Sequence, residues 1–151
     1  MVMEQLPRSH YIRILVPGKA VAQQRPAFAA RFGHAVAFER KESRSYKAYV
    51  RMLAVKAMEA HALQTIEDAV KVDIRICKAV PKSFSKKKSI DALNNNIRPT
   101  TKPDVDNIAK AIMDALTSVV WKDDAQVWSL TVTKEYSNSD CVSVTVKEAN
   151  A

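Results

Sequence analysis

The stretch AVKVDIRICKAV, residues 69–80, decides the fold expected for this chain. Apolar and charged residues alternate along it, which predicts a β-strand with one buried face and one face in water. The expected buried positions are Val70, Val72, Ile74 and Ile76. Pro81 ends the strand, because proline has no N–H to give to a sheet.

Strand-like and helical patterns precede this strand. YIRILVPG, residues 11–18, alternates and predicts a strand that the Pro-Gly pair ends. Residues 19–34 have no clear period and predict a loop, and AVAFE, residues 35–39, predicts a short strand. From Ser43 to about His61 the apolar residues recur with a helical period, and Ser43 is the expected N-cap.

Further elements follow the strand. KSFSKKKSIDALNNN, residues 82–96, predicts a basic loop that leads into a short helix. Val105 to about Val119 predicts a longer helix with an apolar face. Residues 120–126 predict a turn. Residues 126–136 and 141–148 alternate and are joined by a short polar link, which predicts an antiparallel hairpin.

The order β(β)αβααββ, with about three helices, predicts an α+β fold with a mixed or mainly antiparallel sheet. The 151 residues suit one domain, expected over residues 10–151 after a flexible tail at residues 1–9. A hydrophobic fraction of 47% argues against disorder. The chain has two glycines and no GxGxxG or Walker pattern, so no nucleotide cofactor is expected.

The sequence also predicts where the protein works. No apolar run approaches the length of a membrane span and the first residues are not a signal peptide, so we expect a cytoplasmic protein without a membrane partner. Cys77 and Cys141 lie in strand-like segments and are expected to be reduced, buried thiols. The chain has 24 Lys and Arg against 16 Asp and Glu, a net charge of +8, which suits a polyanion such as nucleic acid.

Acids nevertheless gather in TKPDVDNIAKAIMDAL, residues 101–116. Asp106, Lys110 and Asp114 are four residues apart, so they line one stripe of the predicted helix, away from its apolar face. One interpretation is structural, with aspartates that cap the helix and pair with Lys110. The other is a cluster of carboxylates for a hard divalent cation, completed by Asp124 in the following turn. The residues alone leave both open.

The longer stretch KPDVDNIAKAIMDALTSVVWKDDAQVWSLTVTKEY, residues 102–136, resembles the signature of the RusA-type crossover junction endodeoxyribonucleases. These resolvases of four-way DNA junctions are common in prophages. Their pattern is PDxDN, a lysine, DAL, a Trp-x-Asp-Asp turn, and a strand that ends in lysine and an aromatic residue. The sequence differs from it at Thr117-Ser118, where a glycine is common, and at Ala27, where a second arginine is frequent.

The resemblance implies roles for particular residues. Asp104, Asp106 and Asp124 would be the metal-binding catalytic acids and Lys110 the catalytic lysine, with Mg²⁺ as the cofactor and Mn²⁺ as a substitute. The supporting residues would be Asn107, Asp114 and Asp123. Carboxylate-bound Mg²⁺ lowers the pKa of water and bridges a phosphate oxygen, while a lysine stabilises charge in the transition state.

Basic residues are expected to hold the phosphates of the junction. They are Arg25, Arg31, Lys82, Lys86, Lys87, Lys88, Arg98 and Lys102. For each of them, a merely solvated lysine-rich segment is the alternative. Phe84 and Trp121 either probe an opened junction or are ordinary buried aromatic residues.

We therefore expect a Mg²⁺-dependent, structure-specific endonuclease that resolves Holliday junctions by paired hydrolysis in DNA recombination and repair. A four-way junction has two-fold symmetry, so a homodimer is expected. Because helix residues 106–118 span roughly 20 Å, Asp124 of one chain is expected to join the acids of the other. The alternatives are a non-catalytic basic DNA-binding or regulatory module and a metal-dependent nuclease for flaps or forks.

Overall fold

A computed structural model of the protein describes residues 11–149, which form an α+β fold in the predicted order, with one strand more than expected. The strands are β1 (Tyr11–Pro17), β2 (Ala27–Arg31), β3 (His34–Phe38), β4 (Val70–Ala79), β5 (Val127–Ser137) and β6 (Cys141–Glu148). The helices are α1 (Lys41–Ala60), α2 (Lys86–Leu93) and α3 (Val105–Leu116). The predicted tail at residues 1–9 lies outside the described residues.

The main sheet has four strands in the order β1-β6-β4-β5 and is mixed. β6 runs antiparallel to both of its neighbours, whereas β4 and β5 are parallel. β2 and β3 form a separate antiparallel hairpin. The predicted mixed sheet is therefore confirmed.

The core lies between one face of the sheet and the helices α1 and α3. The alternation along β4 is confirmed: Val70, Val72, Ile74 and Ile76 are buried. Burying one such side chain contributes roughly 1.5–3 kcal/mol to folding. The charged residues between them, Lys71, Asp73 and Arg75, are exposed on the other face. None of the helices described here is long and apolar enough to cross a membrane.

The predicted hairpin of residues 126–136 and 141–148 is wrong, because β4 lies between β5 and β6. The link between them passes over the end of β4, where the Ala79 N–H donates to Asp140 Oδ1 (2.9 Å) and the Val80 N–H to the Ser137 carbonyl (3.1 Å). It must cover two strand spacings, about 10 Å, which a few extended residues can span. The alternation of apolar and polar residues indicates a strand, but it does not determine which strand pairs with it.

The predicted loop at residues 19–34 is also wrong in part, because residues 27–38 form the hairpin of β2 and β3, here called the hairpin arm. Its turn is Phe32-Gly33, and both residues have positive φ, 51° and 78°. Such a two-residue turn matches the twist of the flanking strands. The short strand predicted at residues 35–39 is confirmed as β3, whereas β2 was not expected, because AFAAR is rich in alanine and lacks a clear apolar alternation.

Two helix ends differ from expectation. α1 begins at Lys41, and Ser43 is a buried residue whose hydroxyl accepts a hydrogen bond from the Gln24 N–H (3.2 Å). α3 ends at Leu116 rather than Val119, because Thr117 is extended and Ser118 has a φ of 68°.

Cys77 and Cys141 are free thiols that lie directly opposite each other on β4 and β6. They are half-buried rather than buried. Burial, followed by a hydrogen bond with Cys141, raises the pKa of the Cys77 thiol to about 11. The thiol is therefore protonated at neutral pH.

Candidate active site

The start of α3 carries Asp104 at its N-cap position, but this side chain makes no capping hydrogen bond. Its Oδ2 atom lies 2.8 Å from Lys102 Nζ and 3.5 Å from Asn107 Nδ2, and both nitrogens donate to it. The hydrogen bond from Lys102 lowers the pKa of Asp104 below its ordinary value. The capping interpretation is therefore wrong for this side chain, which is an ionised carboxylate.

The loop before Asp104 is held by two lysines. Lys78 Nζ donates to the Lys102 carbonyl (2.8 Å), and Lys134 Nζ donates to the carbonyls of Thr101 (2.7 Å) and Pro103 (3.1 Å). We call this pair the lysine clamp. The two side chains come from neighbouring strands, β4 and β5, on the helix side of the sheet. The clamp fixes the backbone that leads to Asp104.

On the exposed front of α3, Asp106 and Lys110 make no hydrogen bond or ion pair within residues 11–149. Asp114 pairs instead with Lys47 of α1 (3.1 Å), which also contacts Glu39 (2.7 Å). Burial lowers the pKa of Lys47, but these hydrogen bonds outweigh it and the net shift is upward. The structural interpretation, in which Lys110 pairs with its helix neighbours, is therefore wrong, and Lys110 keeps its charge available.

Asp124 lies at the opposite end of α3. Its Oδ1 atom accepts a hydrogen bond from Trp121 Nε1 (3.1 Å) and lies in hydrogen-bond contact with the Thr117 hydroxyl. Trp121 is fully buried, so the idea that it probes DNA is wrong. Asp123 caps the short helical turn at residues 124–126 by accepting the Ala125 N–H (2.9 Å). Asp123 is thus engaged in the turn that presents Asp124.

Arg51 of α1 holds the same end of α3. Its Nη2 donates to Ser118 Oγ (2.8 Å) and its Nη1 to the Thr117 carbonyl (3.3 Å). A cation at a helix C-terminus is favourable, because it satisfies free carbonyls and complements the helix dipole. Arg51 was not predicted, since nothing local in the sequence connects it with residues so far along the chain.

A groove of about 550 Å³ runs between α3 and β5. Its lining residues are Val105, Asp106, Ala109, Lys110, Met113, Asp114, Asp124, Leu130 and Val132. The groove thus runs along the helix from Asp106 past Lys110 to Asp124. The twelve residues of α3 place the two ends of the helix about 18 Å apart. Residues 11–149 accordingly contain no group of three His, Cys, Asp or Glu side chains that could hold a metal ion.

Three of the predicted DNA contacts lie on one helix. Lys86, Lys87 and Lys88 form the first turn of α2, where the helix dipole opposes positive charge. Lys88 lies 4.2 Å from the centre of the Phe84 ring, which packs edge-on against Tyr136 (5.5 Å). Phe84 is thus a packed residue.

The other predicted DNA contacts differ in whether their side chains have hydrogen-bond or ion-pair partners within the protein. Arg98 approaches Glu135 (3.8 Å) and Asn95 (3.2 Å). Lys82, Lys86 and Lys87 have no partner in the part of the chain that the structure describes. Arg25 is exposed in the loop whose Gln23 N–H donates to the Asn107 carbonyl (3.0 Å). The Arg31 side chain lies outside what the structure describes.

Comparison with known proteins gives two findings. A family model described as "Endodeoxyribonuclease RusA" matches residues 17–147. A relative, the "Uncharacterized protein YqaN" of Bacillus subtilis (strain 168), is 39% identical over 143 residues, which are 93% of this chain and 98% of that protein. The match contains both ends of α3, the groove and the lysine clamp.

Proposed function

The chain belongs to the RusA endodeoxyribonuclease family, and from this premise we propose that it is a Mg²⁺-dependent endonuclease that resolves four-way DNA junctions in recombination and repair. Family membership makes it a nuclease. The observation that carries the finer proposal is the pair Asp106 and Lys110, opposite charges without a partner in the described part of their own chain, both lining one groove. An unpaired acid and base one helical turn apart suit an incoming cation and phosphate better than they suit stability.

The metal is proposed to lie between two chains. Carboxylate oxygens are the ligands that Mg²⁺ prefers, but within residues 11–149 no three acids of one chain lie close enough together to surround one ion. We assign Asp104 and Asp106 of one chain and Asp124 of the partner subunit as its ligands. Bound there, Mg²⁺ would lower the pKa of a water molecule and neutralise phosphate charge.

The surface around the groove supports a homodimer. β5 is an edge strand, and its neighbourhood exposes Trp128 (63%), Leu130 (43%) and Val105 (40%). An uncovered edge strand with apolar side chains tends to pair with another chain. A two-fold axis at this face would set two copies of α3 antiparallel and bring the end of one helix beside the start of the other.

The remaining charges have separate tasks in this proposal. Lys110 lies in the groove with the acids, so it would stabilise charge on the phosphate in the transition state. Lys82, Lys86 and Lys87, which have no partner within residues 11–149, would bind phosphates away from the cleaved bond. Arg25 and Lys102 flank the start of α3 and would hold the strand that is cut.

The test is cleavage of a mobile four-way junction with and without Mg²⁺. Asp106→Asn should nearly abolish nicking and leave junction binding unchanged or tighter, because it removes a metal ligand and a charge that repels phosphate. Lys110→Ala should lower the cleavage rate far more than the affinity. Asp73→Asn, at an exposed acid on the opposite face of the sheet, is the matched control and should cleave normally.

Two outcomes would contradict the proposal. Near wild-type nicking by Asp106→Asn would remove this residue from the site, and binding without any nicking in Mg²⁺ would favour the non-catalytic DNA-binding module. Competition between a junction, a flap and a fork in the same reaction decides the substrate. Preferred cutting of a flap or a fork would replace the resolvase by the alternative nuclease.

A further inference from the structure

The hairpin arm, residues 27–38, stands apart from the rest of the fold. β2 and β3 pair with each other, and the buried core of residues 11–149 contains no residue of the arm. Each strand has five residues, so the arm is about 17 Å long. Much of it is alanine: Ala27, Ala29, Ala30, Ala35 and Ala37. The arm is therefore a narrow two-stranded ribbon.

The tip of the arm carries an aromatic residue in an unfavourable conformation. Phe32 has a φ of 51°, in the left-handed region that glycine and asparagine tolerate better than a bulky residue. Its side chain is 98% exposed, so no packing within the described chain compensates for this conformation. A residue that breaks a local rule without a local gain is typical of a functional position.

The charge of the arm complements a polyanion. Residues 11–38 contain no Asp or Glu, whereas Arg25, Arg31 and His34 lie at its base and near its tip. The two acids that follow the arm are engaged by their own chain: Glu39 pairs with Lys47 (2.7 Å), and Glu42 accepts a hydrogen bond from Gln24 (3.0 Å). The loop that leads into the arm is joined to the first turn of α3 by the hydrogen bond from Gln23 to Asn107 (3.0 Å). Phe32 follows Gln23 by nine residues, so the tip of the arm lies at most about 30 Å from the first turn of α3.

We propose that the hairpin arm enters the branch point of the bound junction and that Phe32 stacks on a base pair exposed there. The proposal rests on the proposed function. A four-way junction exposes base-pair faces at its centre that a continuous duplex keeps stacked. Aromatic side chains stack on such faces without regard to sequence, and apolar residues enter opened base steps. A two-stranded ribbon is also narrow enough for a DNA groove.

The arm then contributes selectivity for the junction. Basic residues bind phosphates, which a duplex and a junction share, so charge alone discriminates poorly between them. Stacking at the branch point is possible only on the junction. Phe32 is a specificity-determining residue in this proposal.

The experiment uses the full-length protein with Asp106→Asn, so that DNA is bound but not cut. The probes are an immobile four-way junction with 2-aminopurine beside the branch point and a duplex of the same sequence. Phe32→Ala should weaken junction binding roughly 5- to 100-fold and duplex binding by less than about 2-fold. Binding of the parent protein should change the 2-aminopurine fluorescence, and Phe32→Ala should abolish this change. Phe32→Trp should keep the junction affinity and the fluorescence change, and the junction should quench the fluorescence of the new tryptophan.

Phe28→Ala is the matched control, because Phe28 is a 71% exposed phenylalanine on the flank of the same arm. It should bind the junction almost as well as the parent protein.

Equal losses from both substitutions, or an unchanged affinity and fluorescence signal in Phe32→Ala, would overturn the stacking role. Dissociation of the Phe32→Ala protein into single chains would overturn it too, since the tip would then be a contact between copies. If the wild-type protein nicks junctions and Phe32→Ala binds them as well as the parent protein does, the stacking role fails and the proposed function stands. If the wild-type protein neither binds nor nicks junctions, the stacking role and the proposed function both fail.

Discussion

The two ends of α3 hold their acids by different means. At the start of the helix, Asp104 is held by the cation of Lys102, on an exposed loop that the lysine clamp fixes. At the far end, Asp124 is held by the neutral N–H of Trp121, a side chain buried in the core. A neutral donor orients a carboxylate and leaves its charge available, whereas a cation also neutralises it. In the proposed metal site, Asp124 would bind the ion directly, whereas Asp104 would first exchange Lys102 for it.

The largest expected effect comes from mixing the two ends in one dimer. Asp106→Asn and Asp124→Asn should each be almost inactive alone. If metal sites are shared between chains, their heterodimer has one wild-type site and one site with both changes, so single-strand nicking returns. Nicking of a labelled junction by the mixed protein is the measurement.

The control for this experiment is subunit exchange, checked with differently tagged chains. A verified heterodimer that does not nick either strand would show that each chain closes its own site. The acids at the two ends of α3 would then have to bind one ion within a single chain, although the length of the helix keeps them apart.

Trp121→Phe tests the far end. The substitution removes the N–H that orients Asp124 and keeps an aromatic ring in the core. Because loss of a group that orients a metal ligand typically costs about 10- to 100-fold in metal affinity, the Mg²⁺ concentration for half-maximal cleavage should rise by about that factor. Tyr11→Phe, at an exposed aromatic residue of β1 on the other edge of the sheet, is the control. An unchanged Mg²⁺ titration of a folded Trp121→Phe protein would mean that this N–H does not matter to the site.

Lys134→Met tests the lysine clamp at the near end. It removes the donor to the carbonyls of Thr101 and Pro103, so we expect a loss of about 1 kcal/mol in the free energy of unfolding. Cleavage should slow several-fold, because Asp104 follows the loop. Lys147→Met, at an exposed lysine of β6, is the control for a lost charge. Urea unfolding and cleavage rates, measured together, decide the matter, and wild-type values in both would rule out the clamp.

The smallest effect concerns the ion pair at the near end. Lys102→Met should raise the pKa of Asp104 toward its ordinary value, because the hydrogen bond from Lys102 lowers it. In the wild-type protein this lowered pKa stabilises the fold above the unfolded pKa, and the contribution disappears as the pH falls through the folded pKa. Salt should weaken it, since the pair is exposed. Carboxyl ¹³C shifts followed by NMR against pH measure it; identical titrations in the two proteins would contradict the pairing.

Elements with a strong local period were predictable. The alternation of β4 and the apolar face of α3 identified both elements and the residues that the core buries. The pairing of β6 with β1 and β4 was not, because many strand orders satisfy the same alternation. In the hairpin arm β3 was predictable, but β2 and its pairing with β3 were missed, because AFAAR shows no apolar alternation and the tip places phenylalanine where asparagine or glycine is expected.

The candidate site was predictable only where its residues are neighbours in the chain. The PDxDN segment, Lys110 and Asp124 lie within one continuous stretch, and the family resemblance singled them out. The clamp joins Lys78 and Lys134 to a loop between them in sequence, and only the parallel pairing of β4 and β5 brings them together. A lysine at an inward-facing strand position was the available signal. Its carbonyl partners could not be read from a pattern.

The position of β6 has a consequence for how the protein is made. Residues 141–148 supply the strand between β1 and β4, although they are synthesised after every other element of the sheet. Until they leave the ribosome, β1 has no neighbour in the main sheet and the core beneath it stays open. A ribosome that has already translated all the proposed catalytic residues therefore still carries an unfinished domain.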